Sequence, residues 1–216
     1  PTGADGPDTL SMLDGTSQQQ GVVYAVDLVR LGGGGTGSRE LWVATGTGTK
    51  NVNATAAPYY LAQLPEANSF VSEPISVDWA LDYNTDAVYF GINFGDHVNG
   101  WNGAVRRLVL QDGSNNPLNP STWDTDSVLI NLSEAAIGAD VGNGQPVVAA
   151  PTVGLDKDGQ RWVFFGTGRF YSTKDRNNTD QQSYYGIKEP YTTSGTTKTF
   201  TWDTVDRDDL LDVTDV

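Results

Sequence analysis

Asp78, Asp82 and Asp86 stand at positions 1, 5 and 9 of a nine-residue segment, and Asn84 stands at position 7. Carboxylates repeated at this spacing along a tight loop can converge on one point. Three of them repel one another unless a cation compensates them. A hard cation such as Ca²⁺ takes six to eight oxygens, and one acidic loop can supply most of that set. The competing reading is a solvated acidic turn, which a chain with 27 Asp and Glu residues should form often. The central glycine of an EF-hand loop is missing, so spacing alone leaves both readings open.

The remaining polar clusters carry less. Asp175-Arg176-Asn177-Asn178-Thr179-Asp180 is short and oxygen-rich, and reads first as a β-turn and second as a metal loop. Asp156-Lys157-Asp158-Gly159 reads as a hairpin turn. His97 is the only histidine and lies in a glycine-rich stretch, where a solvated loop residue is the simplest account. No serine sits in a nucleophile-elbow context to partner it. Gly166-Thr167-Gly168-Arg169 lacks the Gly-Lys-Ser/Thr of a phosphate loop and reads as a strand-end turn. The six tryptophans, at 42, 79, 101, 123, 162 and 202, serve either sheet packing or an exposed sugar-binding surface.

The elements that must hold the acidic loop are strands. Ala87 to Gly91 follows it directly and is apolar on both faces, which predicts burial on both sides. Gly21–Leu28 and Arg39–Ala44 read as a hairpin around the Gly32–Gly37 turn. Thr45–Phe70 is small and polar and reads as a long connection. Further strands are expected near Ile75–Trp79, Ala87–Ile92, Ala104–Leu110, Ser127–Asn131, Val147–Val153, Trp162–Gly166, Ser183–Lys188 and Thr199–Trp202. Leu132–Ala139 is the one stretch suited to a short helical turn. Residues 1–20 read as an irregular N-terminal segment without the basic start and apolar core of a signal peptide.

The fold class is therefore all-β. Tyr24, Tyr89 and Phe164 head comparable segments 65 and 75 residues apart. Propeller blades run ~40–45 residues, so these would be blades of antiparallel strands with long insertions. Strands apolar on both faces suit a propeller, whose blades are each covered by their neighbours. Residues 1–216 then form a single propeller domain or a fragment of one, with three to four blades against the roughly four to eight of a closed ring.

Composition narrows the function. Net charge is −14 with a pI near 4.2, which disfavours nucleic acid and anionic membrane surfaces and favours divalent cations. No cysteine is present, so disulfides, thiolate metal sites and a cysteine nucleophile are excluded. No run of 18 apolar residues is present to span a bilayer.

Two groups of residues resemble known families. Gly21-Val22-Val23-Tyr24-Ala25-Val26-Asp27, with Gly37 and Glu40-Leu41-Trp42, is similar to a blade signature of quinoprotein-like propellers. Trp162-Val163-Phe164-Phe165-Gly166-Thr167-Gly168-Arg169-Phe170, followed by Asp175 and Gln182-Ser183-Tyr184-Tyr185-Gly186-Ile187, resembles the last blades of the PilY family. These are type IV pilus tip-associated proteins. Asp86-Ala87-Val88-Tyr89-Phe90-Gly91 with Gly103-Ala104-Val105-Arg106-Arg107-Leu108 resembles a blade of the same family, with Val105 or Arg107 replacing its tryptophan and an insertion over Asn93–Asn102.

The PilY resemblance implies a C-terminal propeller carrying a nine-residue calcium loop. Asp78, Asp82 and Asp86 match its first, fifth and ninth positions, Asn84 its seventh, and Ala80 stands where a carboxylate is expected at the third. It further implies a non-enzymatic surface protein of a Gram-negative bacterium that supports pilus biogenesis, extension and adhesion. Its partners would be minor pilin subunits, the remainder of the propeller or a partner chain, and a host or abiotic surface. A quinoprotein-like enzyme and a carbohydrate-binding propeller are the alternative readings.

Overall fold

A computed structural model describes residues 21–26, 41–45, 48–51, 59–118, 124–133, 144–171 and 173–214. They contain fourteen strands: β1 Val22–Val26, β2 Leu41–Thr45, β3 Gly48–Asn51, β4 Tyr59–Gln63, β5 Ser69–Val71, β6 Ile75–Val77 and β7 Ala87–Asp96. The second half holds β8 Gly100–Val109, β9 Asp124–Asn131, β10 Thr152–Leu155, β11 Arg161–Gly166, β12 Tyr184–Lys188, β13 Tyr191–Ser194 and β14 Thr197–Phe200. Every strand pair runs antiparallel. Helix among the described residues is limited to two 3-10 turns, Thr173–Asn177 and Arg207–Asp209. The protein is all-β.

The strands form four sheets. One has the order β3-β2-β1-β4, a second β5-β7-β8-β9 with β6 also on β7, a third β10-β11-β12, and the last is the hairpin β13-β14. The second sheet is central. On one face Phe90 and Ile92 of β7 and Ala104 and Leu108 of β8 pack with Val23 of β1 and with Leu64. On the other, Ala87 and Tyr89 of β7, Val105 of β8 and Leu129 of β9 pack with Val163 and Phe165 of β11 and Ile187 of β12. The expectation for Ala87–Gly91 thus holds, because alternate side chains enter different cores. Burying each such large side chain is worth about 1.5–3 kcal/mol.

Several expectations need correction. β7 and β8 are ten residues each, and their ladder runs unbroken from Ala87↔Val109 to Asp96↔Gly100. Asn93–Asn102 is therefore no loop insertion but the far end of a long hairpin. It closes on Asp96, whose Oδ1 accepts from the backbone N–H groups of Val98 (2.6 Å) and Asn99 (2.8 Å). Thr45–Phe70 is not a plain connection either. It supplies β3 and β4, which flank the first hairpin, and the start of β5; the run Tyr59-Tyr60-Leu61 has the composition of a strand. β11 alternates strictly between buried and half-buried residues. Phe165 therefore faces the core, while Phe164 stacks outward on Trp162 at a centroid distance of 5.7 Å, so Phe164 is not the counterpart of the buried Tyr89. β10 begins only at Thr152; Val147 instead bridges to Gly168. The region from 134 to 143, which includes most of the expected helical turn, lies outside the described residues, as do residues 1–20.

One polar cluster sits inside the core. Arg107 stands on β8, and it and Glu189 are both fully buried as an ion pair. Arg107 Nη2 also donates to the carbonyls of Val128 (2.9 Å) and Trp202 (2.6 Å). Tyr89 donates its hydroxyl to Glu189 Oε1 at 2.6 Å and accepts from Trp79 Nε1 at 3.3 Å. Burial, with the Glu189 carboxylate beside it, pushes the Tyr89 hydroxyl well above the ordinary tyrosine pKa. Removing one partner of such a pair leaves an uncompensated buried charge. Glu189→Ala is expected to lower unfolding stability by about 3–5 kcal/mol in urea titrations. A loss under about 1 kcal/mol would show that water or another group compensates Arg107.

Candidate metal centre

The acidic segment connects β6 to β7, which are themselves paired through Val77↔Ala87. A connection between two paired strand ends must fold back on itself, and this one does so with two non-glycine residues at positive φ, Leu81 (57°) and Tyr83 (70°). Both are highly exposed, so no packing gain offsets a conformation that L-residues seldom adopt. The result is a backbone turned inward. Asp82 and Tyr83 donate their N–H groups to the two oxygens of Asp78 at 3.2 and 2.8 Å. Asn84 donates its N–H to Asp82 Oδ1 at 2.9 Å.

Asp86 closes the loop from beneath. Its backbone N–H donates to Val77 O at 2.8 Å, extending the β6–β7 pairing by one residue. Its Oδ2 accepts from the N–H groups of Trp79 (2.7 Å) and Ala80 (2.9 Å). The residue is fully buried, and its Oδ1 has no hydrogen-bond partner. Burial raises its pKa; the two N–H donors and the nearby Arg161 oppose that rise without cancelling it, and Asp78 adds to it.

Asp78, Asp82 and Asp86 each place one carboxylate oxygen within 4.8 Å of the others. Two oxygens on opposite sides of an ion with Ca²⁺-like bond lengths of 2.3–2.6 Å lie ~4.6–5.2 Å apart, so the spacing suits a shared cation. The orphaned Oδ1 of Asp86 supplies an independent sign, since a buried carboxylate oxygen without a donor calls for one. The three expected ligands are thus brought together, and the residues present fit a hard cation. Asn84 lies on the same turn with an exposed side chain.

The other sequence candidates fall elsewhere. Asp156–Gly159 is the β10–β11 hairpin turn as expected, with Gly159 at φ 68° and Asp156 N–H donating to Gln160 O at 3.1 Å. Asp175 opens a turn as the sequence predicts, its carbonyl accepting from Asn178 N–H at 3.1 Å, and among the described residues its carboxylate joins no acidic cluster. It lies in the 3-10 turn and accepts from Arg169 Nη1 at 2.6 Å and from Tyr171 N–H at 2.9 Å. His97 is not a solvated loop residue: its ring packs edge-on against Trp101, and its Nε2 lies 4.0 Å from Asp175 Oδ1. Trp79 and Trp101 are buried and form no exposed sugar platform; Trp123 lies outside the described residues.

Part of this chain is similar to a known protein. A type IV pilus biogenesis factor PilY1 homolog of Xylella fastidiosa is 42% identical over 53 residues. That match covers 24% of this chain and 4% of the relative. No family model matches, and no solved structure matches.

Two outcomes follow from the loop. Asp82→Ala should abolish any Ca²⁺-dependent rise in melting temperature, whereas Ala80→Asp, which restores the missing carboxylate, should tighten binding in calorimetric titration. At about a hundred times Kd, ligand-linked stabilisation is ~2.7 kcal/mol. Equal melting in millimolar Ca²⁺ and in chelator would identify an ordinary acidic loop. The second outcome concerns pH. The raised pKa of Asp86 means that, without a cation, its contribution to stability is fully present below the unfolded value and lost as pH rises through the folded one. A cation needs the ionised form, so Ca²⁺ affinity should weaken as pH falls into that raised range. A flat dependence of Kd on pH across that range would place Asp86 outside the coordination sphere.

Proposed function

We propose that this chain is a module of a PilY-like, type IV pilus-associated surface protein that supports pilus biogenesis, extension and attachment. The observation carrying this reading is the 42% identical segment shared with the Xylella fastidiosa pilus biogenesis factor homolog. The motif resemblance at Gly166–Arg169 and Tyr185–Ile187 supports it, as does an all-β architecture in which the central sheet is covered on both faces. In this reading the sheets are blades of a β-propeller that other segments of the parent protein or a partner chain complete. The surface location, the minor pilin partners and the host or abiotic target belong to the same reading.

Ca²⁺ is the cation proposed for the acidic loop, with the carbonyl or side chain of Asn84 and water completing the set. With Ala80 at a ligand position, the affinity expected is that of extracellular modules, ~10⁻⁴–10⁻³ M. The non-catalytic reading rests on the sequence inventory, with no cysteine and a single histidine. Deleting the parent gene in its source organism should reduce surface pili, twitching and adhesion, and complementation should restore them. Unchanged piliation, twitching and adhesion in the deletion strain would refute the assignment.

A further inference from the structure

The connection from β11 to β12 is long, and long connections without strands of their own are usually either functional or disordered. This one is closed at its ends. Thr167 N–H donates to Ser183 O at 2.9 Å, and Ser183 N–H donates to Thr167 Oγ1 at 2.8 Å. It is also anchored to the neighbouring segment: Gly168 N–H donates to Pro146 O at 2.8 Å, and Gln145 Nε2 donates to Gln181 O at 3.2 Å and Ser183 Oγ at 3.0 Å. Gly168 adopts φ +126°, a conformation that L side chains rarely adopt. Between these ties the loop walls a cavity of about 300 Å³, at the lower end of the usual range for small-molecule pockets.

The cavity floor is packed from buried side chains. The Arg169 guanidinium lies 3.5 Å from the ring centroid of Trp101, which in turn stacks on Phe70 at 6.1 Å. Arg169 and Asp175 have side chains only 3% and 4% exposed. The Nε and Nη2 of Arg169 are buried without a hydrogen-bond partner and closed to solvent, so Arg169 serves as floor beneath the cavity. Toward solvent the lining changes character. It offers the carboxamides of Asn178 and Gln182, the charged side chains of Arg176 and Asp180, and the ring of Phe170, which is 71% exposed.

We propose that this cavity binds a neutral saccharide unit. Two guanidinium groups stand against two carboxylates in the lining, so an anion or a cation meets as much repulsion as attraction. A ligand whose every polar group both donates and accepts is suited to that wall, and sugar hydroxyls are such groups. The carboxamides of Asn178 and Gln182 each make one hydrogen bond within the loop, Asn178 Oδ1 accepting from Asp180 N–H and Gln182 Nε2 donating to Asp180 O, and keep further donor and acceptor capacity for neighbouring hydroxyls. The exposed Phe170 ring supplies the apolar face on which the C–H side of a pyranose stacks. The pocket is independent of the acidic loop and of the pilus reading, since it rests on these side chains alone.

The test is saturation-transfer NMR on the 216-residue chain with methyl glycosides of glucose, galactose, N-acetylglucosamine and glucuronate. Transfer to the ring protons of at least one neutral glycoside is expected. The double variant Phe170→Ala with Gln182→Ala, checked to melt as the parent does, should weaken that binding by about tenfold. The proposal is overturned by no transfer from any neutral glycoside, by transfer from glucuronate alone, or by undiminished transfer in the double variant. Should that variant melt early, Gln182→Ala alone replaces it, with the same loss of binding expected and undiminished transfer again overturning the proposal.

Discussion

A buried cation has to be neutralised where it stands, and the placement of Arg107 on the inner face of β8 imposes that demand on the whole second half of the molecule. Glu189 answers it from the end of β12, Tyr89 fixes the carboxylate from β7, and the carbonyls of Val128, Trp202 and Asp203 accept from Nη2. Elements far apart in sequence thereby meet at one point. An apolar core tolerates small shifts in packing, but a buried ion pair tolerates few, because any displacement leaves a charge without its counter-charge. The network thus fixes how the β10-β11-β12 sheet and the C-terminal segment sit on the central sheet.

Arg161 extends the same logic toward the acidic loop. Its guanidinium covers the Phe200 ring at 3.6 Å and lies 5.6 Å from the Trp79 ring centroid, and its charge favours ionisation of Asp86. Trp79 belongs to the loop itself, since its N–H holds Asp86 Oδ2. The loop's buried end is therefore embedded in the packed interior, while Leu81 and Tyr83 at its tip stand in solvent. That division leaves an oxygen cluster that runs from exposed Asp82 to buried Asp86, anchored on the packed interior.

How much of this was legible in the sequence depended on range. Ala87–Gly91 announced burial on both faces through composition alone, and the Asp78/Asp82/Asp86 spacing announced convergence because all three lie on one short loop. The hairpin turn at Asp156–Gly159 was equally local. What escaped was set by partners distant in sequence. Nothing near Arg107 indicates Glu189, 82 residues away. The polar Gly48–Asn51 strand is stabilised by the hairpin it joins, so its own residues carry little β signal. Phe164 and Phe165 are adjacent aromatics, and only the register of β11 against β12 decides which one turns inward.

The tied ends of the β11–β12 connection have an evolutionary consequence. Because Thr167 and Ser183 hold the strands in register, and Arg169 and Asp175 the floor, the exposed residues from Arg176 to Thr179 contribute little to the sheet itself. Lengthening a closed surface loop costs only about 0.6 kcal/mol for each doubling. Such a segment behaves as an exchangeable cassette: its rim residues can diverge rapidly while the scaffold that presents them stays the same.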